Sequence, residues 1–144
     1  MPAQFVSTGL PTLVILLADT NALDRATVDW PVATALVQRH ADVSFLNLYL
    51  AAEAGPGRWS TRCFGRDIAG GEDPATGSAA GPLGAYLAVR LGIDQLEIDQ
   101  GVAMGQPSRI SVSVDGTRPT VSGDVWFLGS GTIDLPETLR QSPT

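Results

Sequence analysis

Residues 79–91 constrain the fold more than any other part of this sequence, because they form a long apolar run with no hydrophilic face. Only Tyr86 and Arg90 are polar within the run. A helix that is apolar all round must be buried all round. In a chain of 144 residues, this predicts a sheet that curls around one central helix. Pro82 is expected in the first helical turn or at the helix start, and Gly92 is expected to end the helix.

The segments on either side of this run show the period of β-strands. Before it, strands are predicted in "AQFVST", "TLVILLA", "VSFLNLYLAA" and "RWSTRCFG", with short helices in "DTNALDRA" and "PVATALVQRHA". After it, "QLEIDQGV", "RISVSVDG" and "TVSGDVWFLG" alternate polar and apolar residues, and Asp115-Gly116 predicts a hairpin turn. We therefore expect an α+β fold with a curved mixed or antiparallel sheet, as a single domain over residues 1–136 followed by a polar tail, 137–144.

Charge and cysteine content exclude several classes of protein. The net charge is −6, the pI is about 4.5 and no basic cluster is present, which argues against nucleic acid or an anionic membrane as a partner. The single cysteine, Cys63, cannot form an internal disulfide and is expected to be a small buried hydrophobe. His40 is expected on the surface near a helix end, and one His with one Cys predicts no metal site. With no signal-peptide pattern, a cytoplasmic protein is expected.

The stretch "GGEDPATGSAAGPLGAYL", residues 71–88, places acidic and hydroxyl groups at the mouth of the buried helix. The N–H groups of residues 77–80, together with the Ser78 hydroxyl, are suited to binding a substrate carboxylate at the positive end of the helix dipole. Asp73 and Glu72 lie just upstream, where a carboxylate can orient a substrate amine or hydroxyl or move a proton. Alternatively, Asp73 or Thr76 only caps the helix. The residues alone leave both interpretations open.

The same stretch strongly resembles the signature of the PhzF-like isomerase family, which has the diaminopimelate-epimerase-like fold. Three further stretches resemble that family in the expected order: "VSTGLPTLVI", "TRCFG" and "QGVAMGQPSRISV". The resemblance implies an enzyme that needs no cofactor or metal and works on a small carboxylated substrate. It also implies that Asp73 and Ser78 are catalytic, with Glu72, Thr76, Gly77, Ser78 and Ala79 around the substrate. Where Asp73 stands, epimerases of this fold that use cysteines have a thiol, so a two-cysteine mechanism is not expected.

The chain resembles only the C-terminal half of such proteins, whose active site lies between two similar halves. The N-terminal half would carry a glutamate base in an N-x-x-E-T stretch and a histidine in G-H-A-T, and neither stretch occurs here. Gln106 also stands where the family often has arginine. The leading hypothesis is an isomerase half completed by a second subunit, as a homodimer or as a heterodimer with a separate N-terminal half. The alternatives are a non-catalytic carboxylate-binding or scaffold protein, or an excised domain of a full-length isomerase.

Overall fold

The computed structural model describes residues 1–40 and 47–134 and contains eight strands and three α-helices in that part of the chain. In chain order the elements are β1 (Gln4–Ser7), β2 (Pro11–Leu16), α1 (Thr20–Asp24), α2 (Trp30–His40), β3 (Asn47–Gly55), β4 (Arg58–Gly65), β5 (Glu72–Asp73), α3 (Gly77–Leu91), β6 (Gln95–Gln100), β7 (Ser108–Asp115) and β8 (Arg118–Gly123). A 3₁₀ turn, Val102–Met104, follows β6. The predicted alternation of strands with one long apolar helix is confirmed.

All eight strands form one mixed sheet in the order β1-β2-β3-β4-β6-β7-β8, with the short β5 paired to β4. The β2–β3 and β4–β6 pairs are parallel, and the other pairs are antiparallel. The β7–β8 hairpin turns at residues 116–117, where Gly116 has a φ of +60°. That left-handed conformation suits glycine, in agreement with the predicted turn.

The sheet curls around α3, which contacts six of its strands, β1, β2, β3, β6, β7 and β8. The inner core between helix and sheet is apolar; its members include Val14, Ala80, Leu83, Leu87, Leu96, Ile98 and Val112. A Cβ added at Gly84 would lie 2.6 Å from the Val112 side chain, so glycine allows the helix to pack close to β7. A second cluster, containing Leu23, Leu48, Leu50 and Phe64, covers the outer face against α1. The expected fold, a curved sheet wrapped around an apolar helix, is confirmed.

Two details of α3 differ from the expectation. Pro82 is the sixth residue of the helix and is not in its first turn. The missing hydrogen bond would have gone to the carbonyl of Ser78, and because Ser78 is exposed at the helix mouth, water can satisfy that oxygen. The last helical turn also emerges from the core, with Val89 73% and Leu91 48% exposed. The helix ends at Gly92 in the left-handed conformation, as predicted.

The last predicted strand is correct only up to Gly123. Residues 124–134 have no regular structure, although "DVWFLG" continues the apolar pattern. The first part of "VSFLNLYLAA", the side chain of His40 and the tail 137–144 lie outside the described residues, so those predictions stay as predictions. Within residues 1–40 and 47–134, every helix is too short or too polar to cross a bilayer.

Candidate functional site

The carboxylates of Glu72 and Asp73, which are neighbours in strand β5, lie on opposite faces of the sheet. Asp73 lies opposite Cys63, and Glu72 lies opposite Phe64. Cys63 belongs to the inner core around α3, whereas Phe64 belongs to the outer cluster against α1. Because successive side chains in a strand alternate between faces, Asp73 points inward toward the helix mouth and Glu72 points outward.

Glu72 forms a bidentate ion pair with Arg62 on the outer face. The guanidinium Nε and Nη2 donate to the two carboxylate oxygens at 2.8 and 2.7 Å, and both side chains are only 13% exposed. Arg62 Nη1 also donates to three backbone carbonyls, those of Leu23, Asp24 and Ala26. The hydrogen bond to Glu72 raises the pKa of the Arg62 guanidinium. This geometry ties α1 to the sheet, and the predicted contact between Glu72 and substrate stays a prediction.

The inner face holds a buried hydrogen-bond network centred on Gln100. Its Nε2 donates to the Asp73 carbonyl at 2.7 Å and to Thr76 Oγ1 at 2.8 Å. Its Oε1 accepts from the Tyr49 hydroxyl at 3.0 Å and from the Thr76 N–H at 3.3 Å. The Thr61 hydroxyl donates to Tyr49 at 3.1 Å. Gln100, Tyr49 and Thr61 are all buried, so the motif is anchored to β3, β4 and β6 at once.

Thr76 occupies the N-cap position of α3 without capping it through its side chain. Its hydroxyl donates to Asp73 Oδ2 at 2.7 Å, and the other Asp73 oxygen accepts a long 3.4 Å bond from the Ala75 N–H. Neither side chain therefore satisfies the helix N–H groups, so the capping interpretation does not describe this geometry. The threonine and the aspartate hold each other in place at the helix mouth.

The first four N–H groups of α3 differ in whether they have an acceptor. The N–H groups of Ala79 and Ala80 donate to the Thr76 carbonyl at 3.2 and 3.1 Å. Those of Gly77 and Ser78 have no hydrogen-bond acceptor among residues 1–40 and 47–134. Both of these residues are exposed, whereas Ala79 is buried in the core. The sequence predicted four N–H groups for carboxylate binding, and the structure leaves two of them without an acceptor in the described residues.

The loop after β6 packs against the motif. Gly101 has a φ of +75°, and a Cβ there would collide with the carbonyl oxygens of Gln106 and Pro74. The Ser108 hydroxyl donates to the Pro74 carbonyl at 2.8 Å. The segment that carries Gln106 is therefore held beside Pro74, and Gln106 itself is exposed.

The buried groups nearest Asp73 on the sheet are neutral. Cys63 is fully buried, as predicted, and burial raises the pKa of its thiol to about 11. Burial also raises the pKa of the Tyr49 hydroxyl. The Cys63 thiol is therefore protonated at neutral pH and unsuited to nucleophilic or base catalysis. No cluster of metal-ligating side chains occurs in the described part of the chain.

Sequence reasoning missed the buried polar residues on the inner face of the sheet: Thr12, Asn47, Tyr49, Thr61 and Gln100. Thr12 and Asn47 lie opposite each other in β2 and β3, at the same end of the inner face as Asp73. Both are buried, and Thr12 Oγ1 and Asn47 Oδ1 have no hydrogen-bond partner among the described residues. The only signal for them in the sequence is a polar residue inside an otherwise apolar strand. That signal does not show which face of the sheet the residue lies on or which residue it hydrogen-bonds.

Comparison with known proteins identifies the family of this chain. The family model of the Phenazine biosynthesis-like proteins matches residues 1–132. The chain belongs to that family. It is 40% identical over 121 residues to a trans-2,3-dihydro-3-hydroxyanthranilate isomerase of Pseudomonas chlororaphis, covering 75% of this chain and 44% of the relative. It is 32% identical over 126 residues to an uncharacterized isomerase of Deinococcus radiodurans, covering 82% and 40% of the two chains.

Solved structures of this family share the fold. A PhzF-family protein of Bacillus anthracis superposes with a TM-score of 0.65 at 22% identity, covering 83% of this chain and 44% of the other. A predicted epimerase of Pseudomonas aeruginosa superposes with a TM-score of 0.57 at 30% identity, covering 90% and 46%. The chain thus spans less than half the length of these relatives and structures.

Proposed function

We propose that this chain is one half of a PhzF-like isomerase, corresponding to the C-terminal half, which moves a proton within a small carboxylated metabolite. Membership of the family and relatives named as isomerases support the reaction class. The observation that carries the proposal is the Gln100 network, which fixes Asp73 beside two free helix N–H groups. The reaction needs no metal or cofactor in this proposal, since proton transfer between side chains and substrate suffices.

The substrate carboxylate binds at the N-terminus of α3. The N–H groups of Gly77 and Ser78 and the Ser78 hydroxyl supply three donors, and the helix dipole adds a positive partial charge. The exposed side of Gly77 allows close approach, because glycine has no side chain there. The named substrate of the Pseudomonas chlororaphis relative is a dihydro-3-hydroxyanthranilate, which carries a carboxylate, an amine and a hydroxyl group. Compounds related to dihydro-3-hydroxyanthranilate are therefore the first class of substrate to test.

Asp73 contacts the amine or hydroxyl of that substrate and assists proton placement. Its Oδ2 is already bonded to the Thr76 hydroxyl at 2.7 Å, while Oδ1 makes only the long contact with Ala75. One carboxylate oxygen is therefore fixed and the other is available to a ligand. Since Gln100 holds both Asp73 and Thr76, the available oxygen keeps a constant position relative to the helix N-terminus.

The proton-transferring base comes from a second polypeptide. Three glutamates lie in the described part of the chain, at positions 53, 72 and 97, and none of them hydrogen-bonds to the Gln100 network. A separate N-terminal half would supply the glutamate, and a second copy of this chain would instead present Asp73 and Ser78 again. A protein that binds the carboxylate without turnover is the second candidate function.

Ser78→Leu tests the carboxylate site. Because Ser78 is exposed and outside the core, the variant is expected to fold normally, while the leucine side chain blocks the two N–H groups. We expect 3-hydroxyanthranilate, used as an unreactive probe, to bind the parent chain and to lose at least about tenfold in affinity with the variant, measured by titration calorimetry. Ser122→Leu, an exposed serine in β8, is the matched control. Equal affinity for parent and Ser78→Leu would place the ligand elsewhere.

A further inference from the structure

Two buried side-chain oxygen atoms on the inner face of the sheet have no hydrogen-bond partner among the described residues. They are Thr12 Oγ1 in β2 and Asn47 Oδ1 in β3, two residues that lie opposite each other in the paired strands. Thr12 is fully buried and Asn47 is only 3% exposed. Leaving a buried polar group without a partner costs free energy, and most such groups in native proteins are paired. Two neighbouring exceptions indicate a place where a ligand group supplies the missing partner.

Both residues lie on the part of the sheet that surrounds the N-terminal end of α3. On one side, the turn after β1 contacts this end of the helix, since a Cβ added at Gly81 would lie 3.2 Å from Thr8 Oγ1. On the other side, Thr76 at the helix N-cap hydrogen-bonds to β6. The strand order β1-β2-β3-β4-β6 places β2 and β3 between these two contacts. The two oxygen atoms therefore belong to the surroundings of the helix mouth.

A small recess surrounds the Asn47 oxygen next to the row of side chains that contains Asp73. Asn47 lies opposite Gly65 in β4, two residues beyond Cys63, which is the partner of Asp73. Residues two apart in a strand share a face, so Asn47 and Asp73 occupy adjacent rows on the inner face. A Cβ at Gly65 would lie 3.2 Å from Asn47 Oδ1 and would collide with the Ile68 side chain. The half-buried Ile68 thus covers the recess formed by Thr12, Asn47 and Gly65.

Ile68 belongs to a short loop between β4 and β5 that is closed by its own backbone hydrogen bonds. The Ile68 N–H donates to the Gly65 carbonyl at 3.2 Å, and the Ile68 carbonyl accepts from the Gly71 N–H at 2.8 Å. These bonds fix the backbone of the loop and leave the side chain free to change rotamer. Rotation of the Ile68 side chain alone can therefore uncover Asn47 without breaking a strand pair.

We propose that this recess binds a hydroxyl group of the substrate once Ile68 has turned outward. The hydroxyl donates to Asn47 Oδ1 and accepts from the Thr12 hydroxyl. A hydroxyl suits the recess better than an ammonium group, because Thr12 and Asn47 offer a donor and an acceptor but no charge, and a buried ammonium needs a counter-charge.

This inference rests on the proposed function, in which the substrate carboxylate binds at the N-terminus of α3. Asp73 then contacts the amine, and the recess takes the hydroxyl. Three different substituents of one small ring are thereby held at three different places around the helix mouth. The recess makes the site specific for hydroxyl-bearing substrates, which neither the helix N–H groups nor Asp73 achieve by themselves.

The melting temperature of Thr12→Val tests, without any ligand, whether the Thr12 hydroxyl lacks a partner in the free protein. Valine has nearly the shape of threonine, so the change removes an unpaired buried hydroxyl and should raise the melting temperature by about 2–6 °C. Thr61→Val is the matched control on the same face of the sheet. Its hydroxyl donates to Tyr49, so that variant should melt at a lower temperature than the parent. An unchanged or lower melting temperature of Thr12→Val would overturn the proposal.

Calorimetric titration with 3-hydroxyanthranilate and anthranilate tests the recess itself, since the two compounds differ only in the hydroxyl. We expect the full chain to bind 3-hydroxyanthranilate at least about tenfold more tightly, because a buried site that pairs a hydroxyl discriminates against an analogue without one. In Thr12→Val and in Asn47→Leu the ratio of the two affinities should fall toward one, and Thr12→Val decides if Asn47→Leu does not fold. A ratio near one in the parent, or a ratio that a folded variant leaves unchanged, would overturn the proposal.

Ser78→Leu separates this proposal from the carboxylate site. That variant should weaken the binding of both compounds by the same factor and preserve their ratio. If Ser78→Leu binds both compounds as tightly as the parent, the proposed carboxylate site is wrong, while the ratio still reports on the recess. A parent chain that binds neither compound at millimolar concentration would overturn both.

Discussion

Asp73 is fixed by the Thr76 hydroxyl at 2.7 Å and by the hydrogen bond from Gln100 to its carbonyl. In Asp73→Asn, the side-chain oxygen can still accept the Thr76 hydroxyl, so we expect stability to change by less than about 1 kcal/mol. The lost charge and proton affinity should reduce turnover by about 10²- to 10⁴-fold. Thermal unfolding and steady-state assays of the assembled enzyme measure the two effects, with Asp115→Asn in the exposed hairpin as control. An unaltered turnover would reduce Asp73 to a structural role.

Cys63 predicts how stability depends on alkaline pH. Burial raises the pKa of its thiol from 9.0 to about 11, so the folded chain holds this proton more tightly than the unfolded chain. The thiol therefore leaves stability unchanged below about pH 9 and lowers it as pH rises toward 11, by roughly 2–3 kcal/mol in total. The chain has no lysine, so no lysine titrates in this pH range and obscures the effect of the thiol.

Urea unfolding of the parent and Cys63→Ala at pH 8 to 11 isolates that contribution. The raised pKa of Tyr49 lowers stability in both proteins at the upper end of the range, so it cancels in the comparison. We expect the stability difference between the two proteins to be constant up to pH 9 and to shrink above it. A difference that stays constant through pH 11 would show that the thiol is not protected by burial.

At the scale of elements, Gln100 connects β6 to the motif ahead of α3 and to β3. Gln100→Leu would leave the Tyr49 hydroxyl, the Thr76 N–H and the Asp73 carbonyl without their partner in a buried site. Each unsatisfied buried group costs about 1–3 kcal/mol, so we expect a loss of roughly 3 kcal/mol or more in unfolding free energy. Gln95→Leu, at the exposed start of the same strand, should change stability by less than about 0.5 kcal/mol. Equal effects of the two substitutions would contradict the network.

The elements themselves follow from sequence pattern where the pattern is long. The apolar run of α3 and the alternation in β6 and β7 are local patterns that match the final secondary structure. The helix wrapped by strands is therefore predictable from the sequence. Strand β5 is not predictable, since two residues between glycines and a proline have no period. Without β5, the opposite orientation of Asp73 and Glu72 cannot be derived. The role of Gln100 likewise depends on the register of β6 against β4, and that register is set by tertiary packing.

The exposed run after β8 is a case in which a strand pattern in the sequence does not become a strand in the structure. "DVWFLG" carries a valid strand signal, but a strand needs a neighbour for its backbone hydrogen bonds. Within the described part of this chain, the residues after Gly123 pair with no strand, and β8 ends at Gly123. Pro82 differs for a local reason, because the carbonyl left without a donor lies at the open mouth of the helix. Both differences occur where the chain is exposed to solvent.

At the scale of the whole molecule, half of the catalytic machinery is expected to come from outside the chain. A two-fold homodimer would bring together two copies of Asp73 and Ser78 and no glutamate base, so we expect weak or absent isomerase activity from the chain alone.

Adding a polypeptide that carries the N-x-x-E-T and G-H-A-T stretches should raise turnover by at least about 10²-fold, the lower end of a general-base contribution. Incorporation of deuterium from deuterated water into trans-2,3-dihydro-3-hydroxyanthranilate measures the proton shift directly. A partner in which that glutamate is replaced by glutamine is the matched control and should restore binding without turnover. Full activity of the chain by itself would show that it contains its own base.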